Sequence, residues 1–309
     1  MGANLRGEGG FMKLLHALPP YNFCGVEGKG FDDCRVAVLP VPYDSTASYG
    51  GGARNGPGAI IGASRYLEGY DDELKRVPSD AGIFTLEELE PALNSPEAMV
   101  DRVDDVVTDL FEAGKFPIVF GGDHAISLGA LRAASERFRD LSVLHIDAHA
   151  DFRDEFEGTK FSHACAARRF SEHCPVSQFG VRSLSAGEAD ALDHASNVKT
   201  VYMRAVREKG LAACIKSALA ALTKKVYVSF DVDALDPSQM PATGTPEPGG
   251  LDWYEALALL REACARKQIV GFDLVELAPI PGSPASEFLA AKLAYKFIGY
   301  QFGSGDDPA

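Results

Sequence analysis

LHIDAHAD, residues 144–151, places Asp147, His149 and Asp151 at every second position directly after a short apolar run. In an extended chain alternate side chains point the same way, so all three would project from one face. Burying two carboxylates and an imidazole together is costly unless something positively charged holds them. The run before them reads as a strand, and the acids begin where it ends. Which other strands end beside it then becomes the question that sets the fold.

Working outward, similar Val-, Ile- and Phe-rich runs occupy 35–41, 116–120, 141–147, 177–183, 198–203, 225–233 and 269–277. Helical patterns separate them at about 97–114, 125–139, 164–173, 186–195, 207–223, 252–267 and 285–302. In the first of these, Met99, Val103, Val106, Val107 and Leu110 share one helical face. Strand–helix alternation on this scale predicts an α/β fold, a three-layer α/β/α sandwich around a mostly parallel sheet of about eight strands. No linker or internal repeat divides the chain, so one domain is expected over 1–309, with its core at about 35–300. The Gly-rich start (1–10) and the tail (303–309) are expected to fray.

Composition narrows the function. The 309 residues are 46% apolar and 24% charged, which is typical of a globular protein. No apolar run reaches the roughly 18 residues of a membrane span, and the start lacks the basic-then-apolar layout of a secretory signal. The six cysteines are scattered without a CxxC pair, which points to reduced thiols and a cytoplasmic location. A net charge of −14 leaves no basic stripe for nucleic acid and weakly favours a cationic small molecule.

In an open parallel sheet, ligands bind beyond the carboxyl ends of the strands. His124 follows the run at 116–120, in GGDH. Asp147, His149 and Asp151 follow the run at 141–147. Asp231 and Asp233 end the run at 225–233, in SFDVDALDP, and Glu276 lies at the end of IVGFDLVEL. A lone DxD after a strand is ordinarily a turn or a helix cap, and a lone GGDH a Gly-rich turn with Asp123 as cap. Their convergence on one edge points elsewhere. Two His and four Asp exceed the three protein ligands of an open zinc site, but two neighbouring divalent ions sharing carboxylates would use all six. The donors suit Mn2+, with Ni2+, Co2+ or Zn2+ also compatible. Such a pair lowers the pKa of a shared water until it is a nucleophile at neutral pH.

The blocks GGDHAISLG (121–129), DAHADFRD (147–154), SHACAARR (162–169), SFDVDALDP (229–237), GTPEPGGL (244–251) and GFDLVELAP (271–279) occur in the order found in ureohydrolases. The chain resembles this arginase/agmatinase family over about 35–300, and agmatinases most. The resemblance implies one manganese on His124, Asp147, Asp151 and Asp231 and a second on Asp147, His149, Asp231 and Asp233, with Asp147 and Asp231 bridging. It implies hydrolysis of a guanidino group to urea and an amine, and a trimeric or hexameric homo-oligomer. His163 matches the family's proton-shuttling histidine, and an imidazole suits that role. Glu276 is expected to hold the guanidinium through paired N–H bonds while the hydroxide attacks its carbon.

For the substrate tail, Asp154, Glu155 and Glu157 follow DAHAD in FRDEFEGTKFSH, with Thr245 assigned to the same role. Three carboxylates there would repel a substrate carboxylate and attract an ammonium, so agmatine, cleaved to putrescine and urea, is the expected substrate. Guanidinobutyrate, aminopropylagmatine, guanidine and arginine are the alternatives with the same chemistry. A silent polyamine-binding relative and a one-metal deacetylase are the alternatives of another class. His145 is expected to fill the layer beneath the site, and His16, His173 and His194 to lie at the surface. The Gly-rich segment 48–64 lacks the GK[ST] ending of a phosphate loop. It reads equally as a turn into a helix near Pro57 or, as the resemblance implies, as a loop near the substrate entrance or a subunit contact.

Overall fold

The structure, a computed structural model, describes residues 18–27 and 29–303. His16 and the two ends expected to fray lie outside these residues, apart from Gly303, which is buried. Eight strands form one sheet: β1 (Val36–Val41), β2 (Ile83–Thr85), β3 (Phe116–Gly121), β4 (Leu141–Ile146), β5 (Val176–Val181), β6 (Val198–Tyr202), β7 (Lys225–Asp231) and β8 (Gln268–Val275). They run in the order β2-β1-β3-β8-β7-β4-β5-β6, and every pair is parallel. The expected three-layer sandwich is what forms.

Side-chain alternation divides the core. Phe120, Ile146, Phe230 and Leu274 pack on one face against α1 (Gly56–Ser64), α6 (Met203–Lys209), α7 (Leu211–Ala220), α8 (Trp253–Arg266) and α9 (Ala285–Gln301). Val119, Val143, Tyr227 and Val275 pack on the other against α2 (Pro96–Glu112), α3 (Ser127–Arg137), α4 (Ala166–His173) and α5 (Ala186–His194). A parallel sheet covered on both faces needs such near-continuous apolar strands. On α2, Met99, Val103, Val107 and Leu110 are buried and Val106 is half-buried, while Ser95 caps the helix by accepting from Ala98 N.

Two expectations change. The helix read over 207–223 begins at Met203 and breaks at Gly210, whose φ of 85° and ψ of 148° leave the helical region. The edge strand β2 has three residues, too few to display a period, and was not expected.

Register positions the site. The pairs Phe120↔Leu274, Asp231↔Val275 and Ile146↔Phe230 bring the carboxyl ends of β3, β8, β7 and β4 level in the middle of the sheet.

Far from that edge, Lys296 of α9 is buried and reaches Asp71 at 3.0 Å and Glu73 at 2.6 Å. Glu73 also accepts from Tyr300 at 2.8 Å and Arg261 at 2.6 Å. Burial alone would raise its pKa, but these donors outweigh burial and hold the carboxyl down at about 2. An acid depressed in the folded state adds stability above its unfolded pKa and loses it as pH falls towards the folded one. Glu73→Gln is therefore expected to cost on the order of 1 kcal/mol at neutral pH, discounted for the part of the side chain that water reaches. Urea-unfolding midpoints should show that difference constant above about pH 5 and shrinking below about pH 4. A pH-independent difference would assign the loss to packing instead.

Candidate metal centre

His124 stands three residues past β3, in a short turn whose start is capped by Asp123. Asp147, His149 and Asp151 follow β4, Asp231 ends β7, and Asp233 lies in the turn after it. The structure brings all six together. His124 Nδ1 lies 3.0 Å from Asp147 Oδ2 and 3.3 Å from the Oδ2 atoms of Asp151 and Asp231. His149 Nδ1 lies 2.8 Å from Asp233 Oδ2 and 3.6 Å from Asp147 Oδ1. Two potential ion positions result, one around His124 and one around His149, with Asp147 common to both.

Backbone geometry sets these carboxylates. Asp147 Oδ1 accepts from His149 N at 2.6 Å, Asp231 Oδ1 from Asp233 N at 2.8 Å, and Asp233 Oδ1 from Ala148 N at 3.0 Å. Each loop thus anchors one oxygen of its own acid or its neighbour's. Asp151 and Glu276 have φ of 48° and 66°, a left-handed conformation that costs a non-glycine side chain energy and collects at functional sites. Beneath the site, His124 Nε2 meets Ser229 Oγ at 2.9 Å, and Ser229 donates to Asp273 at 2.8 Å. Arg182 braces the loop from the side, donating to Asp233 O at 2.7 Å and Glu247 O at 2.8 Å.

The donor set fits cations. Burial raises the pKa of Asp231 and of Asp233, and their neighbours' negative charges add to it. Asp147 is buried too, but the close imidazoles of His124, His145 and His149 outweigh burial and take it well below the carboxylate range. His124 and His149 are raised, burial being overcome by the surrounding aspartates. His124 Nδ1, His145 Nε2 and Asp147 Oδ2 are buried without a hydrogen bond. Orphaned ligand atoms among crowded carboxylates are what divalent ions would satisfy.

His145 is more involved than expected. It is fully buried beneath the site, as expected, but its Nε2 lies 3.0 Å from Asp147 Oδ2, and it belongs with His124, Asp147 and Asp151 in one ligand-capable group. Gln178 Nε2 sits 3.4 Å from its Nδ1. Its place on the strand gave no sign of this, since an inward histidine and a core filler look alike in sequence. His173 and His194 are exposed, as expected.

A cavity of about 310 Å³ opens onto the cluster, lined by His149, Asp151, Asp231, Asp233 and Glu276 and also by Tyr49, Gly50, Arg153, Phe156 and Glu188. His163 and Thr245 also line it. Glu276 accepts from His124 N at 2.7 Å, and burial, then the charge of Asp123, raises its pKa well above the usual range. The Gly-rich segment lines the cavity through Ser48–Gly50 and then forms α1, the helix expected near Pro57.

The acidic trio is a correction. Asp154, Glu155 and Glu157 are exposed and do not line the cavity. Asp154 turns to Arg169 at 2.6 Å and Lys160 at 3.4 Å, and the Arg169 contact, foremost, lowers its pKa. Arg153 and Phe156 of the same loop face the cavity instead, with the guanidinium 5.0 Å over the ring. The further carboxylate lining the cavity is Glu188, 3.7 Å from Arg153 Nε, which was not foreseen. It accepts from Phe152 N at 3.0 Å and closes a capping box with Ser185. The SAGE motif shows that cap in the sequence but not the cavity it lines.

Comparison with known proteins agrees with this geometry. The sequence model of the arginase family matches residues 34–299. The chain belongs to the arginase family. It is 42% identical over 278 residues to the N(1)-aminopropylagmatine ureohydrolase of Synechocystis sp., covering 87% of this chain and 90% of that protein. It is 33% identical over 256 residues to an agmatinase of Bacillus anthracis, covering 81% and 86%. Among solved structures, the agmatine ureohydrolase of Thermoplasma volcanium superposes with a TM-score of 0.82 at 32% identity, covering 89% of this chain and 92% of that one. Ureohydrolase chemistry and the family's two-metal site follow from that membership. Among the described residues, no helix is long and apolar enough to cross a membrane.

Proposed function

We propose that the protein hydrolyses the guanidino group of N1-aminopropylagmatine, releasing urea and the corresponding triamine, with two manganese ions per chain. The observation that carries this reading is a cavity lined by the ligand carboxylates, Glu276 and also Glu188, the last with the Arg153 guanidinium 3.7 Å away. A guanidinium at Glu276 and ammonium groups along a tail would each meet negative charge. Relatives bearing that substrate in their names reach 42% identity, against 33–34% for the agmatinases, which supports the longer tail. Agmatine is the second reading, favoured by the same acids and by the fold neighbour named for it. The six unpaired cysteines fit a reducing cytoplasm.

His124, Asp147, Asp151, His149, Asp231 and Asp233 would hold the ions, with Asp147 and Asp231 shared. When bound, the ions supply a nucleophilic water at neutral pH and positive charge opposite the developing negative charge. The chain's own residues do the rest. Glu276 orients the guanidinium, the cavity walls limit access of bulk water, and His163 carries the proton that the leaving amine requires.

The test is urea release from manganese-loaded protein offered aminopropylagmatine, agmatine, arginine, guanidinobutyrate and guanidine side by side. A kcat/KM for aminopropylagmatine at least about tenfold above the others is the expected result, since one extra favourable charge contact is worth about that much. Preference for agmatine would move the reading to the shorter substrate. Urea from none of the five would end it in favour of a silent relative.

A further inference from the structure

We propose that Thr46 is a positioning residue that locks His163 in its Nδ1–H tautomer, leaving the Nε2 lone pair on the cavity side to take up a proton. The inference rests on the ureohydrolase reading, in which His163 handles that proton, and it adds the group that decides which nitrogen does so.

A threonine hydroxyl has one proton to give and two lone pairs to offer. All three are used here. Thr46 Oγ1 donates to Asp123 Oδ2 at 3.0 Å, and it accepts from the backbone N–H of His163 at 3.0 Å. Asp123 is fully buried and its oxygens also receive Thr46 N at 2.9 Å and Ala125 N at 3.2 Å. That carboxylate is an acceptor on every side, so it claims the hydroxyl proton. The remaining contact of Thr46 Oγ1 is His163 Nδ1 at 3.2 Å. With its proton spent, the hydroxyl can only accept there, and Nδ1 must carry the hydrogen. Ser162 Oγ, at 3.4 Å, is a more distant acceptor for the same hydrogen.

The tautomer of a histidine follows from the bond its other nitrogen makes. Nδ1–H leaves Nε2 bare. The ring lines the cavity, and its Nε2 neighbour is the hydroxyl of Ser48, itself a lining residue, at 3.5 Å. Phe156 braces the ring edge-on with centroids 5.8 Å apart. The same chain serves both protonation states: whether Nε2 is bare or protonated, Nδ1 donates to Thr46 and Thr46 to Asp123. No group has to turn when the proton arrives, which keeps reorganisation out of the barrier. An unconstrained histidine prefers the Nε2–H form, which would put a hydrogen where the lone pair is needed.

Two measurements test this. Nitrogen-15 spectra of the histidines, read on the neutral ring of His163 and assigned with His163→Asn, should show Nδ1–H in the wild type and a shift towards Nε2–H in Thr46→Val. An Nε2–H wild type overturns the proposal whether or not any variant folds. In the urea assay, Thr46→Val should lose roughly 100-fold in kcat, the usual share of a positioned proton carrier. KM and metal content should stay within about twofold, and Thr46→Ser should recover most of the rate. A Thr46→Val enzyme that turns over at the wild-type rate, or whose rate falls only because metal is lost, also overturns it. Absence of urea from the wild type would count against the ureohydrolase reading alone, because the spectra still report the tautomer.

Discussion

Asp147→Asn is expected to take bound divalent metal from two ions per chain to fewer than one, and urea release down by at least about 10³-fold. The reason lies in the position of one carboxylate. Asp147 is the member shared by the two ligand groups, with Oδ2 against His124 and His145 and Oδ1 against His149. Asparagine keeps the shape but offers one weakly basic oxygen and an NH₂ that points hydrogens at whatever approaches. It cannot serve two cations. Losing Asp151 would remove a contact with the first group alone, so its effect should be smaller.

A second readout separates metal binding from catalysis. An ion that binds only the folded chain stabilises it by about 2.7 kcal/mol when present at a hundred times its Kd. Adding manganese should therefore raise the melting temperature of the wild type and leave Asp147→Asn nearly unmoved. A variant that keeps two ions per chain by elemental analysis would remove Asp147 as the shared ligand, whatever its activity.

Much of this site was legible because strand ends leave a mark in sequence. Apolar runs with the period and length of buried strands stop at His124, Asp147, Asp231 and Glu276, and parallel register then makes those stops neighbours. No single run shows the register, but three of them ending in ligand residues and a fourth in a carboxylate leave few arrangements. β2 was missed because three residues hold no period, and Gly210 because a lone glycine inside a helical pattern does not announce its φ. The acidic loop misled for another reason. Asp154, Glu155 and Glu157 are close to the site along the chain, but Arg169, fifteen positions later on α4, takes Asp154 outward. Thr46 and His163 are 117 positions apart and meet only in the fold, so no local pattern could have joined them. Ligands repeat a spacing that chemistry fixes, whereas the residues that aim them are chosen by packing.

Glu276→Gln is expected to keep both ions and raise KM for the guanidino substrate by about two orders of magnitude, the cost of breaking a charge-assisted pair. Glu276 is not a member of either ligand-capable group, and its Oε1 already accepts from His124 N at 2.7 Å. Glutamine's amide oxygen can accept the same bond, so the backbone at His124 and the ligand beside it should hold. The change falls on charge. Burial and the neighbouring Asp123 push the Glu276 carboxyl towards its neutral form, and a bound guanidinium would reverse that by pairing with the anion. The energy that pairing releases is what the glutamine variant forfeits. The left-handed φ of 66° supports the same view, because a strained acid at the mouth of a ligand cluster persists only where its aim matters. Steady-state kinetics with metal analysis decide the point: unchanged KM and kcat would take Glu276 out of substrate binding, and loss of metal would make it a ligand.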